Sequence, residues 1–182
     1  MSWNHIARRI RVPLGFVFTA FFVWLAHPRP LFLGLSLALV VPGLLLRGFA
    51  SGYVKKNAEL TVTGPYAHTR NPLYLGSMAI AFGFALAARS LWIALALAIL
   101  FAAVYIPVIR SEEAYLRSAF PGFDAYAAAV PRLLPRLTEA RTAESGEGGF
   151  SPALYRKHRE YNALIGALSV YAALILKLLF VK

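Results

Sequence analysis

The sequence predicts an all-α integral membrane protein with about five transmembrane helices and a candidate pocket formed by loop and helix ends on the cytosolic side. Three observations carry that prediction. Of 182 residues, 59% are hydrophobic and only 15% charged, with a mean hydropathy of +0.60, too little charge to cover a soluble domain. The apolar residues gather into runs near the roughly 20 residues that a helix needs to cross a hydrocarbon core of about 30 Å. The polar and turn-forming residues gather into two stretches, Leu60–Gly76 and Glu112–Pro135.

The runs fall at about 12–27, 31–53, 73–88, 91–109 and 162–180. The first is slightly short and has Trp3 and Trp24 placed as interfacial anchors. It leads into His-Pro-Arg-Pro with no small-residue cleavage site, so it is expected to stay as a span rather than be removed as a signal peptide. Pro42 interrupts the second run and removes one internal donor, which predicts a kink. The third offers Gly76, Ser77, Ala79, Ala81 and Gly83 for close helix contact. Only Arg89-Ser90 separates it from the fourth, so the two are expected to form a tight antiparallel hairpin. Residues of about 138–150 (TEARTAESGEGG and its neighbours) read as a polar linker, and 152–161 as a basic surface helix entering the last span. The chain is read as one membrane domain over 1–182.

Charge excludes some functions and orients the chain. The net charge of +11 could suggest nucleic acid, but the basic residues flank apolar runs, and no nucleic-acid partner is expected. With the N-terminus inside, the cytosolic face collects 15 of the 19 lysines and arginines, leaving Arg29, Arg89, Lys177 and Lys182 towards the other side. All eight acidic residues fall on the cytosolic face as well. The lack of cysteine rules out thiolate chemistry, and His5, His27, His68 and His158 are scattered without metal-ligand spacing, so no metal site is expected.

The third and fourth runs rise and return over similar lengths. Arg70-Asn71, at the start of one, must therefore lie near Glu112-Glu113, at the end of the other. Taken singly, Tyr66 and Tyr74 read as interfacial aromatics and Arg70 as a headgroup-facing cation. Adjacent glutamates at the same membrane depth make the cluster a candidate site, because acidic groups there are paired or functional. Glu112 and Glu113 point about 100° apart on a helix, so at most one is expected to face Arg70.

These stretches resemble the small integral-membrane methyltransferases that include isoprenylcysteine carboxyl methyltransferase and the phospholipid methyltransferases. The resemblance rests on Gly64-Pro65-Tyr66, on Arg70-Asn71-Pro72-Leu73-Tyr74-Leu75-Gly76, on Glu112-Glu113 with Leu116, Phe120 and Tyr126, and on Val130-Pro131-Arg132 with Pro135. It covers about 60–135. Asn71 stands where the family pattern has histidine, and Phe120-Pro121-Gly122-Phe123 alters the pattern's FG-x-x-Y step.

The resemblance implies an S-adenosylmethionine-dependent methyltransferase acting on a lipidic or amphiphilic acceptor, such as a prenylcysteine-type carboxylate or a phospholipid amine. It implies a cofactor pocket drawn from Tyr66, His68, Arg70, Asn71, Pro72, Tyr74, Gly76, Glu112, Glu113, Phe120, Tyr126 and Arg132, with Glu113, Glu112 and Arg70 as the catalytic candidates. Aromatic faces suit a sulfonium, a glutamate suits the cofactor's ammonium, and Arg70 or Arg132 suits its carboxylate. The acceptor is expected to enter sideways from the inner leaflet, with Pro42 and Gly43 opening the gap. Two competing readings are an NADPH-dependent reductase related to the membrane sterol reductases, which are larger chains, and a non-catalytic membrane scaffold or sensor, which Asn71 keeps open.

The charge asymmetry generates a direct test of orientation. Single cysteines placed at Ser90 and Ser145 should respond oppositely to an impermeant thiol reagent applied to intact cells, with Ser90→Cys labelled and Ser145→Cys protected. The reverse pattern would invert the topology.

Overall fold

The computed structural model describes residues 21–55, 58–140 and 148–180. Among them it contains helices and turns and no strand. Most of the run expected at 12–27 lies outside the described residues. Its end, Phe21–Leu25, is helical and leads into Pro28 and Pro30. Six helices follow: α1, Pro30–Tyr53; α2, Pro72–Ala88; α3, Leu91–Ala119; α4, Phe123–Ala129; α5, Pro152–Lys157; and α6, Tyr161–Phe180.

Three of these, α1, α3 and α6, are long and apolar enough to cross a membrane. The chain is an integral membrane protein in type. Their outward side chains are apolar: Leu31, Trp92, Ile99, Leu168 and Leu179 are each at least 60% exposed. Such a surface is stable against lipid and costly against water. The run expected as the third span forms α2, a shorter apolar helix whose 17 residues reach only about 25 Å. Its shortness is tolerable because its buried residues, Gly76, Gly83, Phe84, Ala85, Ala87 and Ala88, face protein along most of its length.

Small residues set the packing of α2 on α1. A β-carbon on Gly43 would stand 2.8 Å from the carbonyl oxygen of Gly76 and 2.9 Å from Ile80 Cγ1, and one on Gly83 would meet Val40 Cγ2 at 2.6 Å. The two backbones therefore touch at positions where only hydrogen fits. Pro42 lies inside α1, next to this seam. The seam is shut at Gly43, so the opening expected at Pro42–Gly43 is filled by α2. Helix α6 closes the other side of α1 and α2 through Ala167, Leu174 and Tyr171. The Tyr171 ring lies 5.0 Å from that of Phe84, and its hydroxyl shares a 2.6 Å hydrogen bond with Ser36.

The two ends of the bundle differ in character. At one, α2 turns into α3 through Arg89, in the left-handed region at φ 52°, and Ser90, whose hydroxyl accepts from Ile93 N. This is the expected tight hairpin. Lys177 reaches the same end and donates to the carbonyls of Val23 and Trp24, as a snorkelling lysine does. The other end carries the polar stretches. Gly64, at φ +59°, starts a 3-10 turn over Gly64–Ala67, and Pro72 occupies the first turn of α2. Between the ends, α3 widens into a π-helical turn over Phe101–Tyr105.

The expected linker falls partly outside the described residues, and its two flanks are both docked. Ala140 N donates to Ala67 O, and Phe150 packs on Phe49 and Tyr53 of α1. The surface helix expected at 152–161 is shorter, as α5 ends at Lys157 and α6 begins at Tyr161. Arg159, at φ 54°, makes the bend between them.

The seam gives a stability prediction. Gly43→Leu should lose about 1–3 kcal/mol by overpacking two backbones that cannot separate, read as a lower melting temperature in detergent. Gly34→Leu, on the same helix with nothing within 4 Å of its β-carbon position, should melt like the parent.

Candidate functional site

The site is assembled where α2 starts and α3 ends, with a strap over residues 131–140 closing it. The strap is laced to the segment before α2. Arg70 N donates to Pro131 O at 2.9 Å, Arg136 N to His68 O at 3.0 Å and Ala140 N to Ala67 O at 3.0 Å. Thr69 Oγ1 donates to Leu133 O at 3.0 Å, and Asn71 Nδ2 to Arg132 O at 2.9 Å. His68 Nδ1 lies 2.9 Å from Arg136 O. Prolines at 65, 72, 131 and 135 leave these segments unable to form regular ladders, and side chains supply the missing partners.

Glu113 is the centre of this assembly. It is 6% exposed, an unusual place for a carboxylate. Arg132 pairs with it through two nitrogens, Nη2 at 2.7 Å and Nε at 3.0 Å from Oε2. Asn71 Nδ2 lies 3.5 Å from Oε1, and Arg70 Nε 3.6 Å from the same oxygen. The expected juxtaposition of Arg70-Asn71 with Glu112-Glu113 is therefore present. The bond to Glu113 raises the Arg132 guanidinium above its ordinary range, so the arginine stays charged. Arg70 Nε is buried and has no hydrogen-bond partner among the described residues. A buried unsatisfied guanidinium donor is costly.

These groups border a cavity of about 560 Å³ lined by residues of α1, α2, α3 and α4, by the segments before α2, and by Glu160 just before α6. Of the residues expected at the site, Tyr66, Arg70, Asn71, Pro72, Tyr74, Glu112, Glu113 and Tyr126 line it. Both glutamates reach it, against the expectation of one, by different routes. Glu113 turns inward to the arginines, while exposed Glu112 accepts from Tyr74 Oη at 2.9 Å. The Tyr74 ring meets Tyr105 edge-on at 5.6 Å, and Tyr105 stacks on Phe101 at 5.0 Å. Tyr126 donates from its hydroxyl to Tyr66 O at 2.8 Å. Burial pushes the Tyr66 and Tyr126 hydroxyls well above the ordinary phenol range, so both remain neutral.

Four predicted residues stand elsewhere. His68 lines a second, apolar groove on the far side of the Gly64–Ala67 turn. Gly76 lies on the α1 seam, where its missing β-carbon leaves room for the Arg47 stem. Phe120 ends α3 outside the cavity lining. Arg132 acts on the cavity through Glu113 rather than by lining it.

The structure also adds residues the motif reading missed. Arg47 of α1 makes a two-point pair with Glu160, Nε to Oε2 at 3.1 Å and Nη2 to Oε1 at 2.9 Å. Its remaining nitrogen donates to Leu73 O and Ser77 Oγ. Arg47, Ser77, Tyr105 and Glu160 all line the cavity. One signal was present: Arg47 is the single charge inside a 24-residue apolar helix, and an ionisable residue at such depth marks a partner or a function.

Fold and site together define a membrane-embedded helical bundle with a polar, aromatic-walled cavity at one end. The phospholipid methyltransferase family profile matches residues 31–122, about half the chain, and the chain belongs to that family of membrane methyltransferases. Two curated relatives are similar over part of their length. The cobalt-zinc-cadmium resistance protein CzcN of Cupriavidus metallidurans is 41% identical over 106 residues, covering 58% of this chain and 48% of that protein. The nickel-cobalt-cadmium resistance protein NccN of Alcaligenes xylosoxydans xylosoxydans is 41% identical over 88 residues, covering 48% of this chain and 41% of that protein. The chain thus spans less than half the length of either relative. No solved structure matches it.

The lacing of the site is testable without any ligand. Tyr126→Phe leaves the Tyr66 carbonyl without its partner in a buried setting and should cost about 1–3 kcal/mol in a denaturant titration in micelles. Tyr115→Phe, half exposed on α3, should leave the midpoint unchanged.

Proposed function

We propose that the chain is an S-adenosylmethionine-dependent methyltransferase that modifies a lipidic or amphiphilic acceptor at the cytosolic end of the bundle. The observation that carries this reading is the convergence of Arg70, Asn71, Glu112 and Glu113 on one aromatic-lined cavity. The signature places the same residues in two stretches 40 positions apart. Family membership supports methyl transfer.

The residues fit the cofactor. The cavity volume, about 560 Å³, falls within the roughly 300–1,000 Å³ of small-molecule sites. Arg70 lines the cavity and its Nε, 3.6 Å from Glu113 Oε1, makes no hydrogen bond among the described residues, so the guanidinium has donor capacity for a carboxylate. Glu112 has no basic partner among the described residues, unlike Glu59, Glu113 and Glu160, which pair with Lys55, Arg132 and Arg47. It is the carboxylate free to receive an ammonium. The rings of Tyr66, Tyr74 and Tyr105 offer π faces to a sulfonium. When bound, S-adenosylmethionine supplies an electrophilic methyl group on a positively charged sulfur.

The chain's own residues then do three things. Arg70 and Glu112 hold the two charged ends of the amino-acid moiety and so fix its direction. The tyrosine walls exclude water and leave the in-line geometry to positioning, which supplies much of the acceleration in a displacement of this kind. Glu113, committed to Arg132, keeps Arg70 in place; an ammonium or thiol acceptor must lose its proton before it attacks. A carboxylate acceptor requires no such step. Because α1 and α2 are sealed at Gly43, an acceptor entering from the leaflet passes on the α3 side, where Tyr74 and Tyr105 border the cavity.

The names of the two relatives concern resistance to divalent metals. Carried to this chain, they indicate the growth condition in which to seek the acceptor. Purified protein should be incubated with methyl-labelled S-adenosylmethionine and membrane extracts from cells grown with and without cobalt, zinc and cadmium. Label is expected in an extractable amphiphile. By calorimetry in detergent, Arg70→Ala and Glu113→Ala should each weaken S-adenosylmethionine binding at least about tenfold, equivalent to about 1.4 kcal/mol. Native affinity in both variants would remove the proposed placement, and binding of NADPH in its stead would favour the reductase reading.

A further inference from the structure

The strap that carries Arg132 has an outer surface the methyl-transfer reading does not use. Leu134 is 78% exposed and Leu137 is 99% exposed. Single exposed leucines are ordinary. These two differ in being held outward: the backbone between and beside them is tied inward at Pro131, Arg132, Leu133, Arg136 and Ala140. A strap anchored at so many points cannot collapse to bury them.

Their position says what they meet. The strap's inner side bonds to residues 67–71, directly before α2, and through Arg132 to Glu113, where α3 leaves its apolar stretch. It therefore lies at the level where helices cross from hydrocarbon to headgroups. Pro135, between the two leucines, is also part of the wall of the second groove, whose other residues include Leu45 and Phe49 of α1. These two are 57% and 55% exposed on the outer face of a candidate span. The apolar surface of the span thus continues to the strap across a groove that is mostly apolar, with His68 and Thr69 its polar members. Arg132 precedes Leu134 and Arg136 lies between Leu134 and Leu137, an alternation of basic and apolar residues suited to a layer of phosphate headgroups over acyl chains.

We propose that residues 131–137 form an interfacial anchor, lying in the headgroup layer of one leaflet with Leu134 and Leu137 reaching into its acyl chains. The partner is the lipid leaflet itself. The same seven residues tie Arg132 to Glu113, so contact with lipid and the geometry of the cavity share one backbone. This inference needs only the membrane location and is independent of the reaction.

The chain contains no cysteine, so Leu134→Cys and Leu137→Cys each introduce a unique thiol at an exposed position. Glu139→Cys, with a 68% exposed side chain on the same strap, serves as the water-facing reference. Each full-length variant is spin-labelled and reconstituted in vesicles of phosphatidylcholine and phosphatidylglycerol. Collision with dissolved oxygen is compared with collision with a water-soluble nickel chelate. Labels at 134 and 137 should favour oxygen several-fold, and the label at 139 should favour the chelate. A chelate preference at both leucine positions would overturn the proposal, because the strap would then face water. Low access to both quenchers would also overturn it, because a second protein surface would then cover the leucines.

Discussion

A carboxylate buried at the end of an apolar helical bundle must be neutralised and hydrogen-bonded, or it protonates or unfolds its surroundings. Glu113 meets that demand by recruiting Arg132, Arg70 and Asn71 from two distant segments. Nearly everything at this end of the molecule serves the same requirement. The strap exists in its observed course because Arg132 has to return over α2, and the segment before α2 is laced to it because prolines leave its backbone groups without regular partners. A second, partly buried pair, Arg47 with Glu160, joins α1 to the residue just before α6. Two arginine–glutamate pairs thus frame one cavity, and Glu112 alone of the four glutamates lining it is left without a cation among the described residues.

Much of this was legible from residue order. A hairpin of two apolar runs with a two-residue turn fixes which ends meet, and that alone brings Arg70 to Glu113. The glycines of α2 announced a close neighbour, and Gly76 and Gly83 do lie against α1. What was not legible depended on facing. Helical periodicity says that Glu112 and Glu113 diverge by about 100°, but it cannot foresee that Tyr74 extends far enough to bring Glu112 into the same cavity. His68 and Gly76 sit in the signature yet serve lacing and packing, because a motif records which residues are needed without recording why. Glu160 escaped notice because its partner is 113 positions away, and no local pattern encodes a pair of that span.

The helices account for the shape of the cavity as much as the motif does. Contact between α1 and α2 at Gly43 and Gly76 is close enough to leave no space there, so the volume opens instead towards α3, where side chains are larger. Short α2 ends within the protein, surrounded on most faces, and its first turn can therefore be polar at a depth where a lipid-facing helix would still have to be apolar. The chemistry-bearing residues cluster at this turn for that reason.

The π-helical turn at Phe101–Tyr105 has one more consequence. A wide turn accommodates an additional residue without breaking the helix, and each residue advances the helical face by about 100°. It therefore works as a phase shifter between the two halves of α3. The half before it presents Trp92, Ile99 and their neighbours outward, while the half after it begins a new azimuth in which Glu113 points inward. Wound as a regular α-turn over the same residues, α3 would reach the slot of Glu113 one residue early, so that Glu112 would occupy it and Glu113 would take that of Ala114. The identity of the buried carboxylate is thus written ten residues upstream of it, in the pitch of a helix rather than in the motif that names it.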